Sequence, residues 1–315
     1  MNNNINNISI SVVIPAFNSS KTISKTLYSV FSQTVKVDEI VITNDGSVDD
    51  TLDKLNLIKT SNPNFNIKIH NQDNKGIGAA RNACLKKCNS NYIAFLDSDD
   101  VWHKSKIENC KKFLHKLPKI DLLYHNEIKQ INRIKIYRKY GKVLKPEYPY
   151  SLYYGNKFSP SSVIVKYDLL KEVGFFSENL NFNSAEDFDL WLKLCRKNIN
   201  IFYLDMFLGS YIVSNNSITN NRKYHFNNVQ NVFSSHFKKN FKENIILKNI
   251  LLCNEFRFLI QELKIFVKKI RLIKTLFIML SLFNILFRSN IFIFLKILFR
   301  NKKIFKKLVK NEIKS

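Results

Sequence analysis

Through its first hundred residues the chain alternates four times between a short apolar run and a longer polar or amphipathic stretch, and this alternation restricts the fold more than any other feature. The apolar runs are Ile8–Ile14, Glu39–Thr43, Ile67–His70 and Tyr92–Leu96. Between them, Lys21–Gln33 puts Ile23, Leu27, Val30 and Phe31 at helical spacing, Asp49–Lys59 enters a helix through acids in its first turn, and Gly76–Lys87 supplies a third helix. Strands joined through helices make right-handed crossovers, so the expected fold is α/β, with a mostly parallel sheet flanked by helices.

The polar loops then fall where such a sheet binds ligands. Pro15-Ala16-Phe17-Asn18, Asn44-Asp45-Gly46-Ser47, the segment 71–76 and Asp97-Ser98-Asp99-Asp100 all follow a strand's carboxyl end. None is a glycine-rich phosphate loop: the first lacks Gly, and Gly76-x-Gly78 is followed by Arg81 where a dinucleotide fingerprint needs Gly or Ala. Nicotinamide dehydrogenase and P-loop nucleotide hydrolase chemistries are therefore set aside. The fourth loop is the most informative, because a strand of buried character delivers three carboxylates, and buried acids need partners. If the backbone stays extended to residue 99, Asp97 and Asp99 face the same way, an oxygen site suited to Mg²⁺ or Mn²⁺. The alternative is that these acids only cap the following helix.

Bulk composition narrows the partners. The chain has 315 residues, 45% apolar and 13% aromatic content, enough for one large or two modest domains. The net charge is +25, and about +15 of it lies from residue 238 onward, where 19 Lys and Arg face 4 Glu. No stacking platform or groove-reading motif accompanies that charge, so nucleic acid is not an expected partner. The first residues lack the cationic region of a signal peptide, giving the expectation of a cytoplasmic protein. Five cysteines without a C-x-x-C pair indicate neither a disulfide framework nor a zinc site, and Cys84 and Cys88 read as packed core.

Four segments in order, Val12–Asn18, Asp45-Gly46-Ser47-Val48-Asp49-Asp50-Thr51, Gly76-x-x-x-Ala80-Arg81-Asn82 and Phe95–Asp100, resemble the family 2 glycosyltransferases of the GT-A fold, over about the first 215 residues. The resemblance implies a Rossmann-like GT-A domain, a nucleotide-diphospho-sugar donor, uridine-linked in the first instance, and inverting transfer. It implies a nucleotide-sugar site of Pro15, Ala16, Phe17, Asn18, Asp45, Ser47, Lys75, Gly76, Arg81, Asp97 and Ser98, with Asp45 accepting hydrogen bonds from the base. Asp99 would hold a divalent cation, Mn²⁺ or Mg²⁺, that bridges the diphosphate. Such a cation suits the chemistry, since it stabilises the departing diphosphate as a Lewis acid without a proton.

Acceptor activation requires a separate general base. Ser184-Ala185-Glu186-Asp187 opens an amphipathic helix whose Phe188, Trp191, Leu192 and Cys195 form one apolar stripe. Ser184 with an acid three residues on also has the spacing of a capping box. Because the family carries a Glu-Asp pair after a Gly-Phe-x-x-x-Glu segment, here Gly174–Glu178, the resemblance makes Asp187 the catalytic base, with Glu186 and Trp191 shaping the acceptor site. The aromatic stretch Tyr148, Tyr150, Tyr153 and Tyr154 suits either a sugar platform or packing against a sheet. The chain departs from its relatives at 211–219, where Tyr211-Ile212-Val213-Ser214 and Ser217-Ile218-Thr219 lack the family's Arg and His; Arg222, Lys223 and His225 are weak substitutes.

Beyond residue 242 the pattern is helical, with Lys and Arg among Leu, Ile and Phe. The longest uncharged run, Thr275–Phe287, has thirteen residues, short of the roughly 18–20 that a spanning helix needs. Basic helices lying on an anionic inner-membrane surface are the expectation, ahead of spanning or of ordinary packing. The expected organisation is a nucleotide-sugar half (1–100), an acceptor half (101–225) and a membrane-associating helical region (226–315). The expected enzyme glycosylates a lipid-linked or surface-glycan acceptor; the alternatives are a polyprenyl-phosphate sugar transferase and a catalytically impaired membrane-bound scaffold.

Overall fold

The computed structural model describes residues 8–142, 156, 158–213, 221–237, 245–268 and 272–289. The chain divides into two compact units, residues 1–229 and 230–315.

The first unit begins as the alternation requires: β1 (Ile10–Ala16), α1 (Ile23–Phe31), β2 (Glu39–Asp45), α2 (Thr51–Ser61), β3 (Ile67–Gln72), α3 (Ile77–Leu85) and β4 (Tyr92–Phe95). Every residue of β1, β2 and β4 is buried, as expected of strands covered on both faces. Ile23, Leu27 and Val30 of α1 join Ile10, Val12, Ile14, Ile40 and Ile42 in one core. The neighbours β3-β2-β1-β4 are all parallel.

After β4 the pattern changes. β5 (Val101–Trp102), α4 (Lys106–Lys116), β6 (Leu122–Ile131), β7 (Ile134–Arg138), β8 (Val163–Lys166), α5 (Tyr167–Glu172), α6 (Glu186–Arg196), β9 (Ile201–Val213) and α7 (Arg222–Phe237) follow. The single sheet has the order β3-β2-β1-β4-β8-β6-β9-β5, with β7 paired to β6. Here β8 is antiparallel to both β4 and β6, and β5 to β9, while β9 runs parallel to β6, so the sheet, expected to be mostly parallel, is uniformly parallel only over β3-β2-β1-β4. β7 is antiparallel to β6 because only two residues join them, a connection too short for a parallel crossover. β9 pairs in parallel along all of β6, with register shifts around Asn126.

In the second unit, α8 (Ile245–Lys268) packs against α9 (Leu272–Arg288). Ile278, Leu282 and Ile285 of α9 are buried, whereas Met279, Leu280 and Phe283 are more than half exposed. Among the described residues no helix is long and apolar enough to cross a membrane. The aromatic stretch 148–154 and the Ser-Ile-Thr segment 217–219 lie outside the described residues.

Candidate active site

The four strand-end loops meet at the carboxyl edge of β1, β2, β3 and β4, and short hydrogen bonds stitch them together. Pro15 and Ala16 are buried strand residues that deliver Phe17 and Asn18 to the edge; Phe17 is 47% exposed. The Asn18 N–H donates to Ser47 Oγ (2.9 Å), and the Val48 N–H donates to Asn18 Oδ1 (2.9 Å). Asp45 is buried and accepts from Gln72 Nε2 (2.6 Å) and the Lys75 N–H (2.9 Å) on Oδ1, and from the Gly76 N–H (2.9 Å) on Oδ2. Its carboxylate is thus largely spent on shaping the 72–76 turn, and a nucleobase would find room only on Oδ2. Gly46, with φ +70°, belongs to the same turn: a Cβ there would stand 2.6 Å from the Asn74 nitrogen.

The acid loop does not remain extended to residue 99. β4 ends at Phe95, and the Asp100 N–H donates to the Asp97 carbonyl (3.0 Å), closing a turn. Thr26 Oγ1 holds this turn from α1, donating to the carbonyls of Ser98 (3.0 Å) and Asp100 (2.9 Å), and the Asp97 N–H donates to Ser161 Oγ (3.0 Å). Ser98 Oγ pairs with Ser19 Oγ (2.7 Å). The turn, rather than strand alternation, places Asp97 beside Asp99. Burial and the Asp97 charge push the Asp99 carboxyl up to about 6. Asp100 points elsewhere, buried, accepting from the Ile212 N–H of β9 (3.1 Å).

Arg81 ties the site together. It is 1% exposed on α3, and its guanidinium forks to Asp97 Oδ1 (2.6 Å) and to Glu186 Oε1 at the start of α6. Burial opposes its charge, but Asp97 and Glu186 more than compensate and hold it cationic. The fork brings the acid dyad, more than a hundred residues downstream, to the acid loop. α3 comes this close only because residue 78 is glycine: a Cβ there would lie 2.4 Å from the Ser177 carbonyl oxygen. Asn82 locks the same contact, donating to the Phe176 carbonyl (3.0 Å) and Glu178 Oε1 (2.8 Å) and accepting from the Phe176 N–H (3.0 Å).

Asp187 is partly exposed at the first turn of α6. Burial and the neighbouring Glu186 push its carboxyl up to about 7, against the pull of Arg81, the Phe188 N–H (2.7 Å) and Asn156 Nδ2 (2.5 Å). The capping-box alternative is not realised. Ala185 is the residue preceding the helix, no side chain caps it, and Ser184 (φ +73°) places its hydroxyl 3.2 Å from His225 Nδ1. Two acceptor-site expectations change. Glu186 is buried and committed to Arg81, and Trp191 is fully buried, packed against Phe158 (5.3 Å between ring centroids) and Phe95 (6.3 Å). Trp191 supports the floor of the site and does not meet an acceptor.

Sequence reasoning missed Asn156, Ser161, Thr26 and the clamp formed by Asn82. Asn82 stands in the Ala80-Arg81-Asn82 motif, which did not reveal its clamp; Asn156, Ser161 and Thr26 are of types that recur throughout the chain, and nothing local marks them. All five cysteines are buried, and burial pushes the Cys84 thiol up to about 12. Among the described residues no three His, Cys, Asp or Glu side chains converge as a complete metal site. The donors present fit a hard cation all the same: among the described residues no other residue hydrogen-bonds the Asp99 carboxylate, and Arg81 takes Oδ1 of Asp97 and leaves its Oδ2. Mg²⁺ or Mn²⁺ is commonly held by one or two carboxylates, with phosphates and water completing its shell.

Residues 11–167 match the family model "Glycosyl transferase family 2". The chain is 32% identical over 228 residues to the Escherichia coli protein WfaP, a UDP-Glc:alpha-D-GlcNAc-diphosphoundecaprenol beta-1,3-glucosyltransferase; the match covers 72% of this chain and 86% of the relative. Among solved structures, TarS 1-349 of S. aureus in complex with UDP-GlcNAc superposes with a TM-score of 0.58 at 21% identity, over 80% of this chain and 81% of that one. The mannosyltransferase PcManGT of Pyrobaculum calidifontis, in complex with GDP-Man and Mn²⁺, superposes with a TM-score of 0.57 at 16% identity, over 73% of this chain and 64% of that one. At those identities the two structures speak to the fold.

Proposed function

The chain belongs to glycosyl transferase family 2, and from that premise we propose that it moves a sugar from a UDP-linked donor, with inversion, to a hydroxyl of a lipid-linked diphospho-sugar acceptor. The observation that supports the reading is the buried Arg81 fork, which joins Asp97 of the acid loop to Glu186, the neighbour of Asp187 in the acid dyad. The activity of the Escherichia coli relative WfaP supports a uridine donor and a lipid-diphosphate acceptor.

In this reading Phe17, Asn18, Ser47 and the 72–76 turn frame the nucleoside, with Asp45 positioning that turn. Asp99, flanked by Asp97, holds the divalent cation, which when bound supplies Lewis-acid stabilisation of the leaving diphosphate. Asp187 removes the proton from the attacking hydroxyl. Its carboxyl, raised to about 7, is matched to a base working near neutrality. A single base opposite the leaving group serves one displacement, which inverts the anomeric carbon. Arg81 holds Asp97 and Glu186 in place. The apolar face of Met279, Leu280 and Phe283, together with the charge concentrated after residue 238, supports peripheral docking on an anionic inner-membrane face, where such an acceptor resides.

The test is a panel of nucleotide-sugars with a short-chain lipid-diphospho-sugar acceptor, in Mn²⁺ or EDTA, scored for glycosylated lipid and released nucleoside diphosphate. Transfer from one UDP-sugar, dependent on the cation and lost in Asp99→Ala, is the expected result. Absence of both turnover and cation-dependent nucleotide binding would overturn the reading in favour of a non-catalytic scaffold.

A further inference from the structure

The chain enters the acid dyad through a strained turn. The Ala185 N–H donates to the Phe182 carbonyl (2.7 Å), and the two residues between them are Asn183 (φ −55°, ψ 130°) and Ser184 (φ +73°). Extended and then left-handed is the pattern of a type II turn, whose second central position favours glycine because a Cβ there crowds the following carbonyl. Left to itself, a serine in that place favours the type I form, in which the 183–184 peptide is flipped and the second central φ is negative. The dyad follows at once: α6 begins at Glu186, one residue past the turn, and no side chain caps it at Ala185. Arg81 fixes Glu186, and the turn fixes the direction from which the chain reaches it.

The restraint on this turn comes from the first turns of α7. Asn228 is buried, and its Nδ2 donates to the Asn183 carbonyl (2.5 Å), the group that would swing away if the peptide flipped. Three residues earlier, on the same face of the helix, His225 Nδ1 lies 3.2 Å from Ser184 Oγ. Burial holds the His225 imidazole below its ordinary value, against a hydrogen bond to the Ser184 backbone that raises it. The ring is therefore neutral at pH 7 and contributes hydrogen bonds, not charge. Both central residues of the turn are thus held by side chains of one helix face.

We propose that Asn228 and His225 are positioning residues for the acceptor base: they keep the 182–185 turn in its type II form, and that form sets where α6 presents Asp187. The inference rests on the reading of Asp187 as the base given under Proposed function. Both side chains act through the peptide that precedes the dyad, and neither is asked to meet a substrate. A base must stand within hydrogen-bond reach of the proton it takes, so a flip of one peptide two to three residues before Asp187 is enough to spoil it.

The test starts from Asn228→Leu in the full chain, which keeps the side-chain volume and removes the donor. This variant should lower kcat by about tenfold, as a strained residue left without its restraint does, while its donor KM moves by less than about twofold. Adding Ser184→Gly, which takes a positive φ freely, should return kcat to within about threefold of the unaltered protein. His225→Phe should show a smaller loss with the same rescue, and it carries the test if Asn228→Leu does not fold. An unchanged kcat, a loss that Ser184→Gly does not repair, or an equal rise in donor KM overturns the proposal, because general loosening of α7 would not be cured at residue 184. Hydrogen exchange gives a readout independent of turnover: the amides of residues 184–188 should exchange about tenfold faster in Asn228→Leu, while those of α3 keep their rate. If that difference appears and the unaltered protein transfers no sugar, the restraint on the turn stands and the base assignment alone has failed. No difference in exchange overturns the restraint itself.

Discussion

Two buried ionic clusters lie within the first compact unit, and they treat charge in opposite ways. At the edge of β1 and β4, Arg81 is enclosed yet held cationic, because Asp97 and Glu186 grip its guanidinium from two sides. Under β5 and β6, Lys106 is equally enclosed and its ammonium is pushed down to about 7 by burial, despite Glu127 and Asp100 nearby. Among the described residues, Lys106 Nζ meets the Ser161 carbonyl (2.7 Å) and the face of the Trp102 ring (3.7 Å) and no carboxylate. The groups around it shift in the matching sense: burial raises the carboxyls of Asp100 and Glu127 and lowers His125. Direct contact between opposite charges preserves ionisation inside a protein, whereas mere proximity loses to desolvation. The Arg81 cluster is thus built to stay charged, as substrate chemistry needs, and the Lys106 cluster is built to sit near neutrality, as a core needs.

Removing the fork should break that contrast most severely. Arg81→Met leaves two carboxylates without their cation, so unfolding in urea should show a loss of about 3 kcal/mol or more, together with loss of detectable transfer. The next largest effect falls on chemistry alone: Asp187→Asn should lower kcat by about 10²–10⁴-fold with nucleotide binding retained. A stability loss as large as that of Arg81→Met would instead make Asp187 a structural acid.

The dyad also predicts a pH dependence. Asp187 acts only when deprotonated, so kcat should climb through pH of about 7 and level off above it. Asn156→Leu removes a hydrogen bond that favours the charged form and should move this limb to higher pH. The smallest effect belongs to the second cluster. Lys106→Met should cost no more than about 1–2 kcal/mol, because a near-neutral buried amine loses little when replaced by an apolar side chain of similar length. Its folded pKa of about 7 lies below the ordinary 10.5, so the folded state binds fewer protons than the unfolded one between those values. Stability should therefore rise with pH through that window in the unaltered protein, and that contribution should vanish in Lys106→Met, as urea midpoints at pH 7 and 9 would reveal.

Much of this site was legible in the residues. The apolar runs named β1, β2, β3 and β4, and the loops after them, including Asp45, Asp97 and Asp99, do meet at one edge. The pairing of the second half was not legible, because β8 and β9 reach their partners across long separations in sequence. The acid loop teaches a finer lesson. Asp97 and Asp99 lie together as expected, but through a turn closed by Asp100 and held by Thr26 instead of through strand alternation. Trp191 shows the converse: its place on an apolar stripe was evident, and only burial revealed that the stripe consumes it entirely.

Residue order sufficed for the α/β class, the four strand-end loops, the family and the identity of the acids, because hydrophobic period and motif spacing are local properties of a chain. The folded arrangement was needed to decide which carboxyls burial raises, and that Arg81 rather than a side-chain cap holds Glu186 of the Glu186-Asp187 pair. Those outcomes depend on partners brought from distant positions and on the water excluded around them, and neither distance in space nor desolvation is written along a sequence.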